Sequence, residues 1–182
     1  LISTFKDSHS TSQFFSVVED SSGNAGASIA AYCGRGGIPC QIYAPKSTPK
    51  PKALQIEEYG ARLRKIAGDR MDASRAAQKA TKTNFYASHI WNPFFIEGTK
   101  TVSYELAEKL GWKSPDVIFA PTSNGTLLLG LVKGFRQLQE SDVIEKMPKV
   151  VAVQPSRVPT LYRAFHGLPR RTEKDMSTVA QA

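Results

Sequence analysis

The sequence predicts a two-lobed α/β protein built on parallel sheets. Short apolar segments alternate with helical patterns along most of the chain, and glycine-rich turns separate them. Such alternation is typical of parallel sheets, because a parallel connection normally contains a helix. The 182 residues, 41% of them hydrophobic, suffice for one ordinary domain or two small ones with a buried core.

The first half of the chain contains four predicted strands and three predicted helices. The strands are expected, in order, at Ser16–Asp20, Pro39–Pro45, Ala61–Gly68 and Phe85–His89. The helices are expected at Ala25–Gly34, Lys52–Gly60 and Met71–Lys82. Asp72 is the predicted cap of the last helix, because a short acidic side chain accepts hydrogen bonds from free backbone N–H groups.

The second half repeats this order. The segment Gly98–Gly111 is predicted to be an amphipathic helix with Val102, Leu106 and Leu110 on one apolar stripe. A buried strand at Asp116–Pro121, a mostly apolar helix at Thr126–Leu138 and a strand at Pro148–Pro155 follow.

Composition excludes several classes of function. The net charge is +8, but the basic residues are not interleaved with aromatics, so no nucleic-acid partner is predicted. No apolar run approaches the roughly 18 residues of a membrane span, and the start of the chain does not resemble a signal peptide. The three histidines lack metal-site spacing, so no metal is predicted. Cys33 and Cys40 are expected to be reduced core thiols of a cytoplasmic protein.

The first turn of interest follows the first predicted strand and has the sequence DSSGNAGAS. Gly23 and Gly26 allow a sharp turn and close approach of a ligand, and the N-terminus of the following helix favours an anion. A carboxylate or phosphate is one interpretation. A tight turn with Ser22 or Asn24 as a plain N-cap is the other.

The second turn, PTSNGTLLLG, also joins a strand to a helix. Ser123, Asn124, Gly125 and Thr126 offer N–H groups and hydroxyls without bulky side chains, which suits a phosphate. Two such turns in one α/β chain favour a shared ligand, because ligands bind at the carboxyl ends of parallel strands.

Four segments in this order resemble the fold-type II pyridoxal-phosphate enzymes, and within them the threonine synthases. They are STFKD (Ser3–Asp7), SSGNAGAS (Ser21–Ser28), NPFFIEGTKT (Asn92–Thr101) and PTSNGTLLLG (Pro121–Gly130). The similarity runs from about Leu1 to Gly167. It implies a fold like that of the tryptophan synthase β subunit.

The resemblance also implies a role for each matching position. Lys6 would carry pyridoxal 5'-phosphate and later move protons, with Phe5 packed near the cofactor ring. Asn24 would bond the 3-oxygen of the ring. Backbone N–H groups of Ser22, Gly23, Asn24 and Ala25 would hold the substrate carboxylate. Those of Ser123, Asn124, Gly125 and Thr126 would hold the cofactor phosphate.

By the same resemblance, residues 1–10 and 89–182 belong to the large cofactor-binding domain and residues 11–88 to the small domain, with the cofactor between them. The implied reaction converts O-phosphohomoserine and water to threonine and phosphate in a homodimer. Threonine dehydratase or a related ammonia-lyase is the nearest alternative. A non-catalytic relative that binds the cofactor or another anion is the alternative from another class.

Two departures from the family pattern concern continuity. Ser8 and His9 stand where the family has a basic residue and a glycine, and the stretch from Lys6 to Asn24 is too short for the helix that the fold requires. No residue matches the family's partner of the pyridine nitrogen. We therefore expect the sequence to join pieces that are not contiguous in the natural chain.

Overall fold

The computed structural model describes residues 16–21 and 23–169. The chain divides into two compact units, one ending at Asn92 and the other beginning at Pro93. The domain limits inferred from the family resemblance, with residues 11–88 as the small domain, stay a prediction. The expected joins between non-contiguous pieces would be tested by the distances between neighbouring Cα atoms at 7–17 and 165–177. Most of these residues lie outside the described part of the chain.

Within residues 16–21 and 23–92, the first unit is a four-stranded parallel sheet with three α-helices. Its strands are β1 (Val17–Glu19), β2 (Cys40–Pro45), β3 (Arg62–Ile66) and β4 (Phe85–Tyr86). Its helices are α1 (Asn24–Gly36), α2 (Lys50–Glu58) and α3 (Arg70–Lys79), the last followed by a 3₁₀ turn at Ala80–Lys82. All seven elements occupy segments where the sequence predicts them.

The strand order of this sheet is β3-β2-β1-β4. Crossovers between parallel strands are right-handed, so the direction of a crossover along the sheet decides the face on which its helix lies. The helices α1 and α2 connect β1 to β2 and β2 to β3, in one direction, and lie on one face. The helix α3 connects β3 to β4, in the other direction, and lies on the opposite face. Val17 pairs with Cys40 of β2 and with Phe85 of β4, so these three side chains share one face. That face packs on Ile29 and Cys33 of α1. β1 is therefore the central strand of the unit, and ligand sites in such sheets lie beyond its carboxyl end.

The described part of the second unit contains two parallel strands and four α-helices. Its strands are β5 (Val117–Pro121) and β6 (Lys149–Val153). Its helices are α4 (Pro93–Thr99), α5 (Thr101–Lys109), α6 (Thr126–Glu140) and α7 (Thr160–Phe165). The core is centred on fully buried Phe135 of α6. The helices α4 and α7 are not predicted by the sequence pattern.

Two predicted burial patterns in this unit are wrong. Val102 and Leu110 of the expected apolar stripe are exposed, whereas Ser103 and Ala107 are fully buried. The strand β5 is not buried throughout, since Phe119 is 70% exposed. In the part of the chain that the structure describes, only one face of the β5–β6 pair is covered.

Two predicted caps also differ. The N-cap of α3 is Asp69, whose Oδ1 accepts hydrogen bonds from the N–H groups of Met71 and Asp72. Asp72 closes a capping box by accepting from the N–H of Asp69. At α1 the N-cap is Gly23 without a side-chain bond, so Asn24 is not a plain N-cap.

Among the described residues, no helix combines the length and the apolar character needed to cross a bilayer. The two cysteines are both buried and unbridged in the core of the first unit.

Candidate cofactor and substrate site

The first candidate turn lies between β1 and α1. Gly23 precedes the helix, and its N–H donates to Oγ of Ser21 over 3.2 Å. Asn24 is the first residue of the helix, and its side chain is exposed. Because the first N–H groups of a helix have no intrahelical partner, this end of the 13-residue helix α1 presents donors and the positive end of its dipole.

Gly26 holds this turn close to the strand. A Cβ atom at Gly26 would lie 2.0 Å from the carbonyl oxygen of Ser21 and 3.3 Å from Cγ2 of Ile42. Only a residue without a side chain allows this approach. The second glycine of SSGNAGAS therefore fixes the position of the helix N-terminus over the end of β1.

The second candidate turn lies between β5 and α6. Gly125 has φ of +94°, a left-handed conformation that favours glycine, and a Cβ atom there would meet nothing within 4 Å. Ser123 and Asn124 are exposed. The turn thus has both the conformation and the open space that a phosphate group needs, which are the features expected of Ser123–Thr126.

The donors of this turn are not all available, however. The side-chain oxygen of Asn124 accepts from both the N–H and the hydroxyl of Thr126, at 3.1 and 3.0 Å. These bonds form an Asx-turn that shapes the loop. A phosphate would therefore depend on the N–H groups of Ser123, Asn124 and Gly125 and on the first turn of α6.

Close helix packing positions this second turn. A Cβ atom at Gly130 would lie 2.5 Å from Oγ1 of Thr99, and one at Gly134 would lie 2.4 Å from the carbonyl oxygen of Lys100. The hydroxyl of Ser103 donates to the carbonyl of Leu131 over 3.0 Å. The EGTKT segment therefore supports the helix that starts at the phosphate-like turn.

Glu97 of the same segment forms ion pairs with Lys100 and Lys133. These contacts lower the pKa of the Glu97 carboxyl and raise the pKa of the Lys100 amine. The helix expected at Gly98–Gly111 is present as α5, which begins at Thr101 with Lys100 as its N-cap.

A buried polar cluster at the carboxyl ends of β1 and β4 was not predicted from the sequence. Glu19 bonds Nδ1 of His89 over 2.6 Å. Asp20 accepts from the hydroxyl of Tyr86 over 2.8 Å and pairs with Arg70 over 2.9 Å. The only sequence signal was the acid pair that ends the buried strand in SVVED.

Burial shapes the acid–base properties of this cluster. Burial is the main cause that raises the pKa of Glu19, and the hydrogen bond from His89 opposes it. Burial, together with the nearby carboxylates of Asp20 and Glu19, raises the pKa of Tyr86 to about 12. Tyr86 therefore stays a neutral hydrogen-bond donor at physiological pH.

Three of the sequence-predicted site residues, Phe5, Lys6 and Ser22, lie outside the described residues. The structure places Gly23, Asn24 and Ala25 at the first turn, in the first unit. It places Ser123–Thr126 at the second turn, in the second unit. The assigned ligand roles of all these residues stay predictions.

In parallel α/β proteins, ligands bind beyond the carboxyl ends of the strands, and anionic groups favour helix N-termini there. The chain belongs to the pyridoxal-phosphate dependent enzyme family, whose model matches residues 5–182. Membership confirms the predicted fold class, enzyme class and cofactor. The open turn at Gly125 fits the phosphate of that cofactor.

The most similar relatives in sequence include two archaeal threonine synthases. The chain is 31% identical to the one from Methanocaldococcus jannaschii over 158 residues, which is 86% of this chain and 38% of that protein. It is 30% identical to the one from Methanosarcina acetivorans over 166 residues, which is 89% of this chain and 41% of that protein. The chain therefore spans about two fifths of the length of these relatives.

Among solved structures, an L-serine ammonia-lyase from Rhizomucor miehei matches with a TM-score of 0.76. The match covers 93% of this chain and 53% of that one, at 23% identity. At this identity the match shows the fold.

Proposed function

We propose that the intact protein is a threonine synthase, a lyase that converts O-phosphohomoserine and water to threonine and inorganic phosphate. The similarity to the two archaeal threonine synthases carries this proposal, because it extends over most of the chain. The two anion-favouring turns support it, since the substrate carries a carboxylate and the cofactor a phosphate.

In this proposal each segment has a defined task. The N-terminus of α1, at Gly23, Asn24 and Ala25, binds the substrate carboxylate, and the amide side chain of Asn24 orients the cofactor ring. The turn Ser123–Thr126 binds the cofactor phosphate. The amine Nζ of Lys6 takes and returns protons beside the substrate. The bound cofactor supplies an electron sink for charge that develops on the substrate.

The nearest alternative is an ammonia-lyase of the threonine dehydratase type. The fold match to a serine ammonia-lyase favours this as the second candidate. Both reactions need the same carboxylate and phosphate sites, so the described turns do not distinguish them.

Product analysis separates these functions. The intact protein, supplied with pyridoxal phosphate and O-phosphohomoserine, should release threonine and phosphate in equal amounts. With threonine or serine as substrate, a dehydratase would instead release a 2-oxo acid and ammonia. A protein that binds the cofactor but forms neither product would support the non-catalytic alternative. We also propose a cytoplasmic homodimer, which analytical ultracentrifugation and cell fractionation would test.

A further inference from the structure

Two consecutive acids, Glu19 and Asp20, end the central strand of the first unit, and both are buried, at 0% and 1% exposure. A carboxylate oxygen of each acid lies within 4.8 Å of one on the other, but the two acids have different partners. Glu19 meets His89. Asp20 meets Tyr86 and Arg70.

The two acids differ in how their oxygens are satisfied. Both carboxylate oxygens of Asp20 are bonded, one to Tyr86 and the other to Arg70. Oε2 of Glu19 is buried and has no hydrogen-bond partner among the described residues. A buried ionised carboxylate with an unpaired oxygen is costly. Glu19 therefore needs a compensating positive charge or a proton, and His89 at 2.6 Å is the group placed to share one.

A bound metal ion would be a less suitable compensation for the buried negative charge of Glu19. Glu19, Asp20 and His89 have ligand atoms within 4.8 Å of one another. However, a metal ion would have to displace the guanidinium of Arg70 and the hydroxyl of Tyr86 from Asp20. A proton on the Glu19–His89 pair needs no such displacement.

The pair also lies at a special point of the sheet. Glu19 ends β1 and His89 follows β4, and these neighbouring strands run parallel. The helix that follows β1, α1, lies on one face of the sheet. The helix that precedes β4, α3, lies on the opposite face. At such a switch point the strand ends open into a crevice where ligands bind. Gly23 and Asn24 follow four and five residues after Glu19, so a charge on the pair acts on any anion held there.

We propose that Glu19 and His89 are positioning residues whose shared proton sets the charge beside the N-terminus of α1 and thereby tunes its affinity for a substrate carboxylate. When the pair holds its extra proton, its total charge is zero. When the pair loses this proton, its charge becomes −1 and repels a carboxylate. The inference rests on the proposed function only in taking Gly23–Ala25 as the carboxylate site.

Other groups around Glu19 contribute a steadier background charge. Those that interact with it electrostatically or by hydrogen bonding are Asp20 on its own strand, Cys40 on β2, Tyr86 and His89 at β4, and Arg70 on α3. Asp20 and Arg70 pair with each other, and the pKa values of Cys40 and Tyr86 are raised. Among these described groups, the Glu19–His89 pair is the one that is placed to share a proton.

Glu19→Gln is the decisive variant, because glutamine keeps the acceptor for His89 and removes the charge. Binding of L-serine to the intact, cofactor-loaded protein would be followed by the change in cofactor absorbance at pH 6.0 and 8.5. Comparing variant with wild type at each pH cancels the titration of serine itself. The variant should bind serine as wild type does at pH 6.0. At pH 8.5 it should bind on the order of tenfold more tightly, because the repulsion between one unit charge and the bound carboxylate is removed.

A purely structural role predicts a different result, namely weaker binding by the same factor at both pH values, and this would overturn the proposal. Asp72→Asn, which alters an acid of the same unit in the capping box of α3, is the matched control. It should leave the ratio of the serine affinities at pH 6.0 and pH 8.5 as it is in wild type. If Glu19→Gln fails to fold, His89→Gln replaces it. Without the imidazole, the pH at which affinity falls should move to lower values, and an unmoved midpoint would overturn the proposal.

Two further measurements separate the remaining explanations. A stoichiometric metal ion in the intact protein, whose removal by a chelator abolished the pH effect, would overturn the shared-proton explanation. Threonine formation by wild type tests the proposed function independently. If wild type makes no threonine but serine binding follows the expected pattern, the proposed function fails and this inference stands.

Discussion

Replacing Gly26 by alanine tests whether the close approach of α1 to β1 is required. The added Cβ atom would lie 2.0 Å from the carbonyl oxygen of Ser21, whereas ordinary non-bonded contacts are about 3.5 Å. The helix N-terminus would therefore have to withdraw by roughly 1.5 Å. Because the obstacle is backbone, we expect a packing cost of about 3 kcal/mol, the upper end for overpacked sites.

The helix itself offsets part of this cost. Alanine is favoured over glycine inside a helix by about 1 kcal/mol. The net loss in the free energy of unfolding should thus be about 2 kcal/mol, or roughly 4–8 °C in Tm for a chain of this size. Urea and thermal unfolding, followed by far-ultraviolet circular dichroism on the intact protein, would measure both values.

Gly23→Ala is the matched control, because it adds the same methyl group to the same turn. Gly23 has φ of −110°, and its added Cβ would meet only Oγ of Ser21, at 3.9 Å. We expect a change below about 1 kcal/mol, since a weaker N-cap and a less flexible unfolded chain oppose each other. Equal stabilities of the two variants would refute the argument that Gly26 is present for close approach.

Three further outcomes are expected. Lys6→Ala should remove the visible absorbance band of the cofactor-loaded protein, and a band that persists unchanged would contradict the assignment of Lys6. Gly125→Val should weaken cofactor binding measured by equilibrium titration, whereas Gly111→Val, which strains a left-handed glycine elsewhere in the same unit, should not. The hydrogen bond from the N–H of Asp69 lowers the pKa of Asp72 below its ordinary value of 3.8. The stabilising effect of Asp72 is therefore full above that value and is lost as the pH falls through the lowered pKa. Accordingly, Asp72→Ala should be less stable than wild type to urea at pH 7, and the difference should shrink below about pH 4. A difference that stayed constant with pH would exclude the ionised cap as its cause.

The strands and the longer helices could be predicted because local pattern determines them. The β-branched segments at β1 and β6 and the glycine that follows α2 are local signals. The helix α4 escaped detection because its seven residues, PFFIEGT, are too few to show helical periodicity.

The inward face of α5 could not be predicted from hydrophobicity. Periodicity placed large apolar residues towards the core, yet Ser103 and Ala107 are the buried positions. The reason lies in another segment, because Gly134 of α6 brings its backbone so close to α5 that only small side chains fit there. Close helix packing thus reversed the usual preference for large apolar side chains at the contact.

The candidate site was predictable to the extent that it depends on turns. The turns at Gly23 and Gly125 follow from glycines beside helix starts, which are visible in sequence. The Glu19–His89 pair was not predictable, since the two residues are 70 positions apart and meet only through the pairing of β1 with β4. His89 alone gave no signal beyond that of an ordinary structural histidine.

The two glycines in α6 have a consequence for folding cooperativity. Each glycine costs about 1 kcal/mol relative to alanine in an isolated helix, so α6 derives its stability from contact with α4 and α5. Loss of that contact would release the helix and, with it, the loop at Gly125. The hydrogen-bonded amide protons of α6 should therefore exchange with solvent with the same free energy of opening as those of α5, as one cooperative unit. Order at the loop is then a property of three helices together and not of the loop's own residues.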